Sequence, residues 1–547
     1  VGGFHLACDA TNRDAVNRLR QRKGRGNKPL ALMVRNIESA ERLVSLTELE
    51  KKSLGSVQAP ILLLRPRKDL ELQAWIAPDS PRLGVMLPYS PLHHLLCAQI
   101  DRPLVMTSGN LSEEPLAFEN QEALRRLENI ADTFLIHDRP IARACDDSVA
   151  VVWRDRLRLM RRSRGYVPRP LPLPDMNDLR PFLCMGADLK NTFCLVTQDG
   201  MAFPSQHIGD LESPESQRNF RDSLRDLCQL LDVCPEAVVV DPHPNYHSTR
   251  LAAEVGKGLP VYNVQHHEAH FAGCLAENDF HGSAIGISWD GTGYGTDDLL
   301  WGGEFFVGDA ASLKRAATFR PCKLPGGEQA IHEPWRVAYA WMLDIYGSEA
   351  EERLPPGLHT IPEDRRKMVR HILERGINCP ACTSVGRLFD AVASIVGLRQ
   401  TVTYEAEAAV ALEACQADGT GQAYPFALAT NSFPWVIDTE PMLRTILDDV
   451  FAGTAAPEIS ARFHWTLALI CREVCWKLRS ETGLDRVALS GGVFQNFALL
   501  ESVSGVLESE KFSVLTHSEV PPNDGGISYG QAAAAAARWR QCVWQYP

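Results

Sequence analysis

An α/β protein of more than one domain is expected from three observations. Short buried-type runs, such as Pro60-Ile61-Leu62-Leu63-Leu64, alternate with polar helical segments over residues 1–170. A proline-rich stretch at 168–174 then interrupts the pattern and marks a boundary. Beyond it, a second strand-and-helix pattern carries two widely separated glycine turns, Asp290-Gly291-Thr292-Gly293 and Ser490-Gly491-Gly492. At 547 residues the chain is too long for one ordinary core.

The chain opens Val-Gly-Gly-Phe without a Met, which reads as a start inside a longer protein, on a strand. A polar helix at 12–23 follows, and further strands are expected at 60–64, 103–107 and 148–152. After the spacer, Phe182-Leu-Cys-Met-Gly-Ala-Asp188 begins a strand, a glycine turn and another strand. The runs 237–241, 261–264 and 284–290 are apolar strands that end in acidic residues or turns. Residues 335–480 read as mainly helical. One more strand at 486–490 leads into Gly491-Gly492, and an alanine-rich helix at 525–539 closes the chain. Two α/β lobes, each with its own glycine turn, predict an actin/hexokinase-type arrangement with a nucleotide between the lobes.

Composition narrows the class. Hydrophobic residues at 45% and charged residues at 23% are those of a soluble globular protein. No apolar run is long enough to span a bilayer and no signal peptide is present, so no membrane partner is expected. Fifteen scattered Cys lack the spacing of a disulfide framework and fit a reduced, cytoplasmic compartment. Cys379-Pro-Ala-Cys382 has metal-ligand spacing, but no second pair accompanies it. A net charge of −12 argues against a nucleic-acid surface.

Two regions carry chemistry. If 265–277 is helical, His266 and His270 lie one turn apart on one face, a spacing that lets two imidazoles share a metal. A third ligand is then required. The loop at 290–297 offers small residues whose N–H groups can approach phosphate, bracketed by carboxylates. The other region is basic: Arg18, Arg20, Arg22, Lys23, Arg25 and Lys28 crowd together at a helix end. A solvated helix terminus explains part of this, but such mutual repulsion is better justified by a bound anion. Thr107-Ser108-Gly-Asn110, Asp147-Ser148 and Arg161-Arg162-Ser-Arg164 add the short hydroxyls, amides and guanidiniums of a polyphosphate pocket.

The order Lys23-Gly-Arg25-(x2)-Lys28-Pro29, Thr107-Ser108-Gly-Asn110, Asp147-Ser148-Val149 and Arg162-Ser-Arg164-Gly165 resembles the YrdC/Sua family, which makes carbamoyl-type adenylates from ATP. The remainder resembles Kae/TsaD-like carbamoyltransferases. It does so at His266-x3-His270, Asp290-Gly-Thr-Gly, Leu324-Pro-Gly326-Gly327, Gly386-Arg-Leu-Phe-Asp390, Gly491-Gly492-Val-x2-Asn496 and Asn523-Asp524-Gly-Gly. Both modules in this order are similar to the HypF family of hydrogenase-maturation carbamoyltransferases. The stretches 83–94, 205–210 and 332–336 add to the likeness, which covers essentially the whole chain.

That resemblance implies a YrdC-like domain at 1–170, a linker at 171–180, a first Kae-like lobe at 181–330 and a largely helical second lobe at 331–547. It implies ATP and Mg as cofactors, with Lys23, Arg25, Lys28, Arg162 and Arg164 on the phosphates. Ser108, Asn110 and Ser148 would orient the reacting groups. Asp290, Gly291, Thr292, Gly293, Gly326, Gly327, Asp390, Gly491, Gly492 and Asn496 would hold the second nucleotide. Asp524 would complete a His266–His270–Asp524 set for iron, zinc or a similar divalent metal, while the role of His267 stays open. The implied acceptor is the C-terminal cysteine of HypE, carbamoylated from carbamoyl phosphate or carbamate through carbamoyl-adenylate. The acylphosphatase-like domain and zinc fingers of the family, and the first strand and helix of its YrdC module, are not in this sequence. This chain is therefore expected to lack the release of carbamate from carbamoyl phosphate. Two rival readings are threonylcarbamoyl transfer to tRNA, which wants a basic surface, and a non-catalytic nucleotide-dependent scaffold, which has no need of the His–His–Asp set.

Overall fold

The computed structural model describes residues 2–111, 114–173, 179–419 and 421–544, and every count or absence below refers to these residues. Contacts divide the chain into two units, 1–264 with 517–547, and 265–516.

The first unit holds two sheets. One is seven-stranded, in the order His5–Asp9, Leu104–Ser108, Ala31–Met33, Leu83–Met86, Ile61–Leu64, Val149–Trp153, Arg156–Arg161. Its alternating Leu and Val side chains, Leu32, Leu62, Leu64, Val85 and Val105, are buried under helix Arg13–Lys23 and its neighbours. That helix starts where Asn12 accepts from Ala15 N–H and stops at Gly24, whose φ of +66° a glycine adopts without strain.

The second sheet runs Val261–Asn263, Ala237–Val240, Phe182–Cys184, Cys194–Val196, Met201–Pro204, Leu171–Pro172. The expected 171–180 linker is thus in part an edge strand, with Leu171 opposite Ala202. A proline is tolerated there because an edge strand leaves one row of N–H groups unpaired. Residues 174–178 of that linker, and Pro174 of the proline-rich stretch, lie outside the described residues. The C-terminal helix Ile527–Arg540 packs on this sheet. Gln531 accepts from Gly186 N–H at 2.8 Å, Ser528 meets the Thr192 hydroxyl at 2.7 Å, and Trp539 packs edge-on against Phe182.

In the second unit a sheet runs Ala427–Ala429, Trp435–Asp438, Leu313–Phe319, Leu300–Gly308, Ala284–Tyr294, Arg486–Ser490, Ser513–Thr516. Helices Pro334–Tyr346, Val385–Ile395 and Ala456–Thr482 belong to the same unit. The division between the two units falls at 264/265, apart from the expected lobe boundary at 330/331. Strand Ala284–Tyr294 pairs with Leu300–Gly308 and Arg486–Ser490, not with the strands of 182–263, so helix His266–Glu277 and its histidines belong to the second unit. The C-terminal segment, expected in lobe II, returns to the first unit.

Candidate functional sites in two modules

In the seven-stranded domain, Lys23 sits at the last turn of its helix and is buried. Its Nζ donates to Ser108 O at 2.7 Å, Asn110 O at 2.5 Å and Asn110 Oδ1 at 2.7 Å. The Ser108 hydroxyl donates to the same Asn110 Oδ1 at 2.6 Å. Burial, then Arg25, pull the Lys23 amine down to about 7. The three acceptors match the three N–H bonds of an ammonium, and this opposes the shift. Arg25 is pulled to about 10 by burial and by Arg20 and Arg161, which leaves it charged at neutral pH. Burial and the cations Arg161, Lys190 and Lys28 hold His207 well below the usual imidazole range, which places the 205–210 turn beside this basic mouth.

The six cations of the basic segment divide by task. Arg20 donates to the carbonyls of Trp75, Ile76, Gly26 and Lys28, and Arg22 pairs with Asp132 at 2.7 Å. These two hold the fold. Ser148, expected to orient reacting groups, is fully buried. Its hydroxyl accepts from Ser163 N–H and donates to Arg164 O, closing the end of the two-stranded segment. Arg164 bonds Asp147 at 2.9 Å and Ala59 O at 2.8 Å, and Arg162 donates to Arg169 O at 2.6 Å. Asp146, beside Asp147 at the same strand end, is pushed up by burial despite nearby Arg161.

In the second unit, helix His266–Glu277 begins at Gln265, whose side chain accepts from His267 and Glu268 N–H. The i,i+4 spacing aims His266 Nε2 and His270 Nε2 at one oxygen: Asp290 Oδ2 lies 3.3 Å from the first and 3.2 Å from the second. The other oxygen, Oδ1, accepts from Gly492 N–H at 3.1 Å. Asp290 ends the inner half of its strand, where the pairing register shifts between Trp289 and Gly293 and frees the carboxylate from the ladder. Burial opposes its charge, but the two histidines outweigh burial and hold the carboxyl well below the usual range. His267 stays neutral through burial and His266, and its buried Nε2 has no partner among the described residues.

The glycines here answer to close approach. A Cβ on Gly293 would lie 2.5 Å from His267 Cε1, and one on Gly491, at φ +101°, 2.1 Å from Trp289 O. Gly386 is confined less tightly, with its Cβ position 3.0 Å from Gly291 Cα. Ser384 caps helix Val385–Ile395 and donates to Asp290 O at 2.7 Å, a residue missed in the sequence although a Ser directly before an apolar run is a cap signal. Arg387 pairs with Asp390 at 2.8 Å, and burial still pushes Asp390 up to about 6. Asn496, expected at the nucleotide, caps helix Phe497–Ser509 with Oδ1 and meets His464 Nε2 with its amide at 2.9 Å. Gly326 and Gly327 form a left-handed turn at φ +89° and +59°. Asp524 opens the turn Asp524–Gly526 at the start of the C-terminal helix, in the first unit. Thus Asp290, expected on the nucleotide, is the carboxylate that meets both histidines.

Three family models match the chain. One described as "Carbamoyltransferase, Kae1-like Domain, second subdomain" covers 286–531, the HypF Kae1-like domain covers 177–277, and the Sua5/YciO/YrdC model, described as "Telomere recombination", covers 1–163. The carbamoyltransferase HypF of Synechocystis sp. is 40% identical over 98% of this chain and 70% of its own length. The chain belongs to the HypF carbamoyltransferase family. HypF from Rhodobacter capsulatus is likewise 40% identical, over 98% of this chain and 71% of that relative. A full-length HypF crystal structure, described as phosphate- and nucleotide-bound, superposes with a TM-score of 0.94 at 39% identity, covering 100% of this chain and 85% of that one. The YrdC-like domain followed by a Kae-like, actin/hexokinase-type fold is therefore the fold of this chain, and a carbamoyltransferase is its activity. Among the described residues no helix is long and apolar enough to cross a membrane.

Proposed function

We propose that this carbamoyltransferase serves hydrogenase maturation in two steps, one in each module. In the YrdC-like domain a carbamate oxygen attacks the α-phosphorus of Mg-bound ATP. The bond from that phosphorus to the bridging oxygen breaks, and pyrophosphate leaves with carbamoyl-adenylate remaining. Arg25, Lys28 and Arg162 balance the phosphate charge, while Lys23 braces the Ser108–Asn110 turn on which the reactants lie. Positioning and charge do the work, and no covalent enzyme intermediate is needed.

In the Kae-like domain the glycine turns at 291–293, 326–327 and 491–492, with Thr292 and Asp390, hold the adenylate. The terminal cysteine thiolate of HypE attacks the carbamoyl carbon, and AMP leaves. The thiocarboxamide so formed is the precursor of the cyanide ligands on the hydrogenase iron. His266 and His270 fit a divalent ion, because both Nε2 atoms are buried and converge on one carboxylate oxygen. We assign Asp524 as the further ligand. A divalent iron or zinc ion there supplies Lewis acidity toward the carbamoyl oxygen when bound. His266 and His270 must be neutral to serve as ligands, and Asp290, whose Oδ2 faces both Nε2 atoms, would share the ion with them.

The observation that carries this reading is that each family-matched module contains its own buried polar cluster, one of cations and carbonyls and one of imidazoles and carboxylate. The test is to incubate the chain with ATP, labelled carbamate and either HypE or tRNA. Label on the HypE terminal cysteine is expected; label on tRNA, or on neither, would sink the proposal.

A further inference from the structure

The 83–94 stretch has no part in the chemistry above, yet it supplies half of a buried cluster beside the Lys23 site. Tyr89 and His93 come from this stretch and His5 from the edge strand. His5 stands directly opposite Ser108 across the antiparallel pair, so both side chains share one face of the sheet. His5 Nε2 lies 3.2 Å from Asp147 Oδ2 and 3.2 Å from the Tyr89 hydroxyl. The Arg164 guanidinium, itself held by Asp147, lies 3.5 Å from the centre of the Tyr89 ring. His93 completes the group, its ring edge-on to Tyr89 at 4.6 Å and to His5 at 5.5 Å. His5 Nε2, the Tyr89 hydroxyl and Asp147 Oδ2 are engaged with one another, but His93 Nδ1 is buried without a partner among the described residues.

A buried ring nitrogen with no partner is costly unless a ligand completes it. Burial, then His5, pull the His93 imidazole down to about 3, so it is neutral at physiological pH and one ring nitrogen is an acceptor. Asp147, the nearest carboxylate, is already bonded to His5 and Arg164. The rings of His5, Tyr89 and His93 stand 4.6 to 6.2 Å apart centre to centre, so aromatic edges bound the space beside His93 Nδ1.

We propose that His5, Tyr89 and His93 form the pocket for the amide end of the carbamoyl donor, with His93 Nδ1 accepting from its N–H. The pocket takes an unsubstituted carbamate and excludes carbamates that carry an amino acid or alkyl group on nitrogen. The proposal rests on adenylation in this domain and deepens that reading. His93 is a specificity-determining residue, and the Ser108 face of the sheet holds the carboxylate end toward the α-phosphorus.

The test is ATP–pyrophosphate exchange by the full chain, with ammonium carbamate or N-methylcarbamate as donor. For His93→Ala the carbamate KM is expected to rise about tenfold or more while the ATP KM stays within about twofold, and the preference for carbamate over N-methylcarbamate should shrink. His93→Asn, whose amide occupies the place of Nδ1, should restore most of the carbamate affinity, and His93→Gln, which reaches past it, should not. A His93→Ala carbamate KM within about twofold of wild type would overturn the pocket. If His93→Ala fails to fold, the Asn and Gln pair decides, and equal KM values for the two overturn it. Wild-type chain without carbamate-dependent exchange would overturn the adenylation reading itself, whereas wild-type exchange indifferent to His93 overturns the pocket alone.

Discussion

The Lys23 cluster and the His266–His270–Asp290 cluster are both buried, yet each is stabilised in a different way. Lys23 sits among main-chain and amide carbonyls, which cannot change protonation state. The histidine cluster is made of three titratable side chains sharing one oxygen. The first is therefore a fixed dipolar cage that shapes a turn. The second is a set of exchangeable partners in which one group's charge sets its neighbours'. Burial acts on both, and what differs is whether the compensation comes from backbone or from side chains.

The sharpest way to break this comparison is to remove the shared oxygen. Asp290→Ala should cost about 3–5 kcal/mol, because two imidazoles and Gly492 N–H lose their buried partner. Urea unfolding of the second unit measures it, and an unchanged midpoint would show that the cluster is held by packing alone. Lys23→Ala should lower carbamate-dependent exchange by about 10- to 100-fold, as for one charge-assisted bond of about 1.5–3 kcal/mol. Metal bound at the histidines should be unaffected, and a parallel loss of metal would mean that the two clusters are not separate.

Gly293→Ala should cost about 1–3 kcal/mol through the contact with His267, which thermal unfolding will read. A variant as stable as wild type would mean that the His267 ring moves freely. An effect no larger is a pH dependence. The folded carboxyl of Asp390 is raised to about 6, so between about pH 4 and 6 the folded state holds a proton that the unfolded state has lost. Wild type should accordingly lose stability relative to Asp390→Asn as pH rises through that window, by about 1–3 kcal/mol, the Arg387 pair being already part of the raised value. Parallel stability curves would show that the pair leaves no net shift.

The sequence carried the local half of this picture. The shared face of His266 and His270 follows from helical spacing, and the glycine turns stand where backbone meets backbone. What stayed hidden depends on long-range pairing. Arg20 and Arg22 read as two more phosphate cations until Trp75, Ile76 and Asp132 arrive from elsewhere in the chain. That Asp290 faces both histidines was not legible, because nothing in its own segment tells which way the register shift turns it. That Ser148 closes a strand end and Asn496 caps a helix was also hidden, since a hydroxyl or amide in such a place has the same one-letter code as one elsewhere. The division of contacts at 264/265 was hidden for the same reason, because strand partners are not neighbours in sequence.

The return of helix Ile527–Arg540 to the sheet of strands 182–263 has a consequence for how the protein is made. The seven described strands of the first sheet all lie within residues 5–161, so this sheet can form while the ribosome is still at work. The six-stranded sheet cannot, because the face that Trp539 and the alanine row cover stays open until nearly the whole chain has been synthesised. Its contacts carry a long loop-closure entropy and so form last. During that interval an apolar sheet face is exposed beside a finished domain, and this is the period in which the nascent chain most needs protection from aggregation.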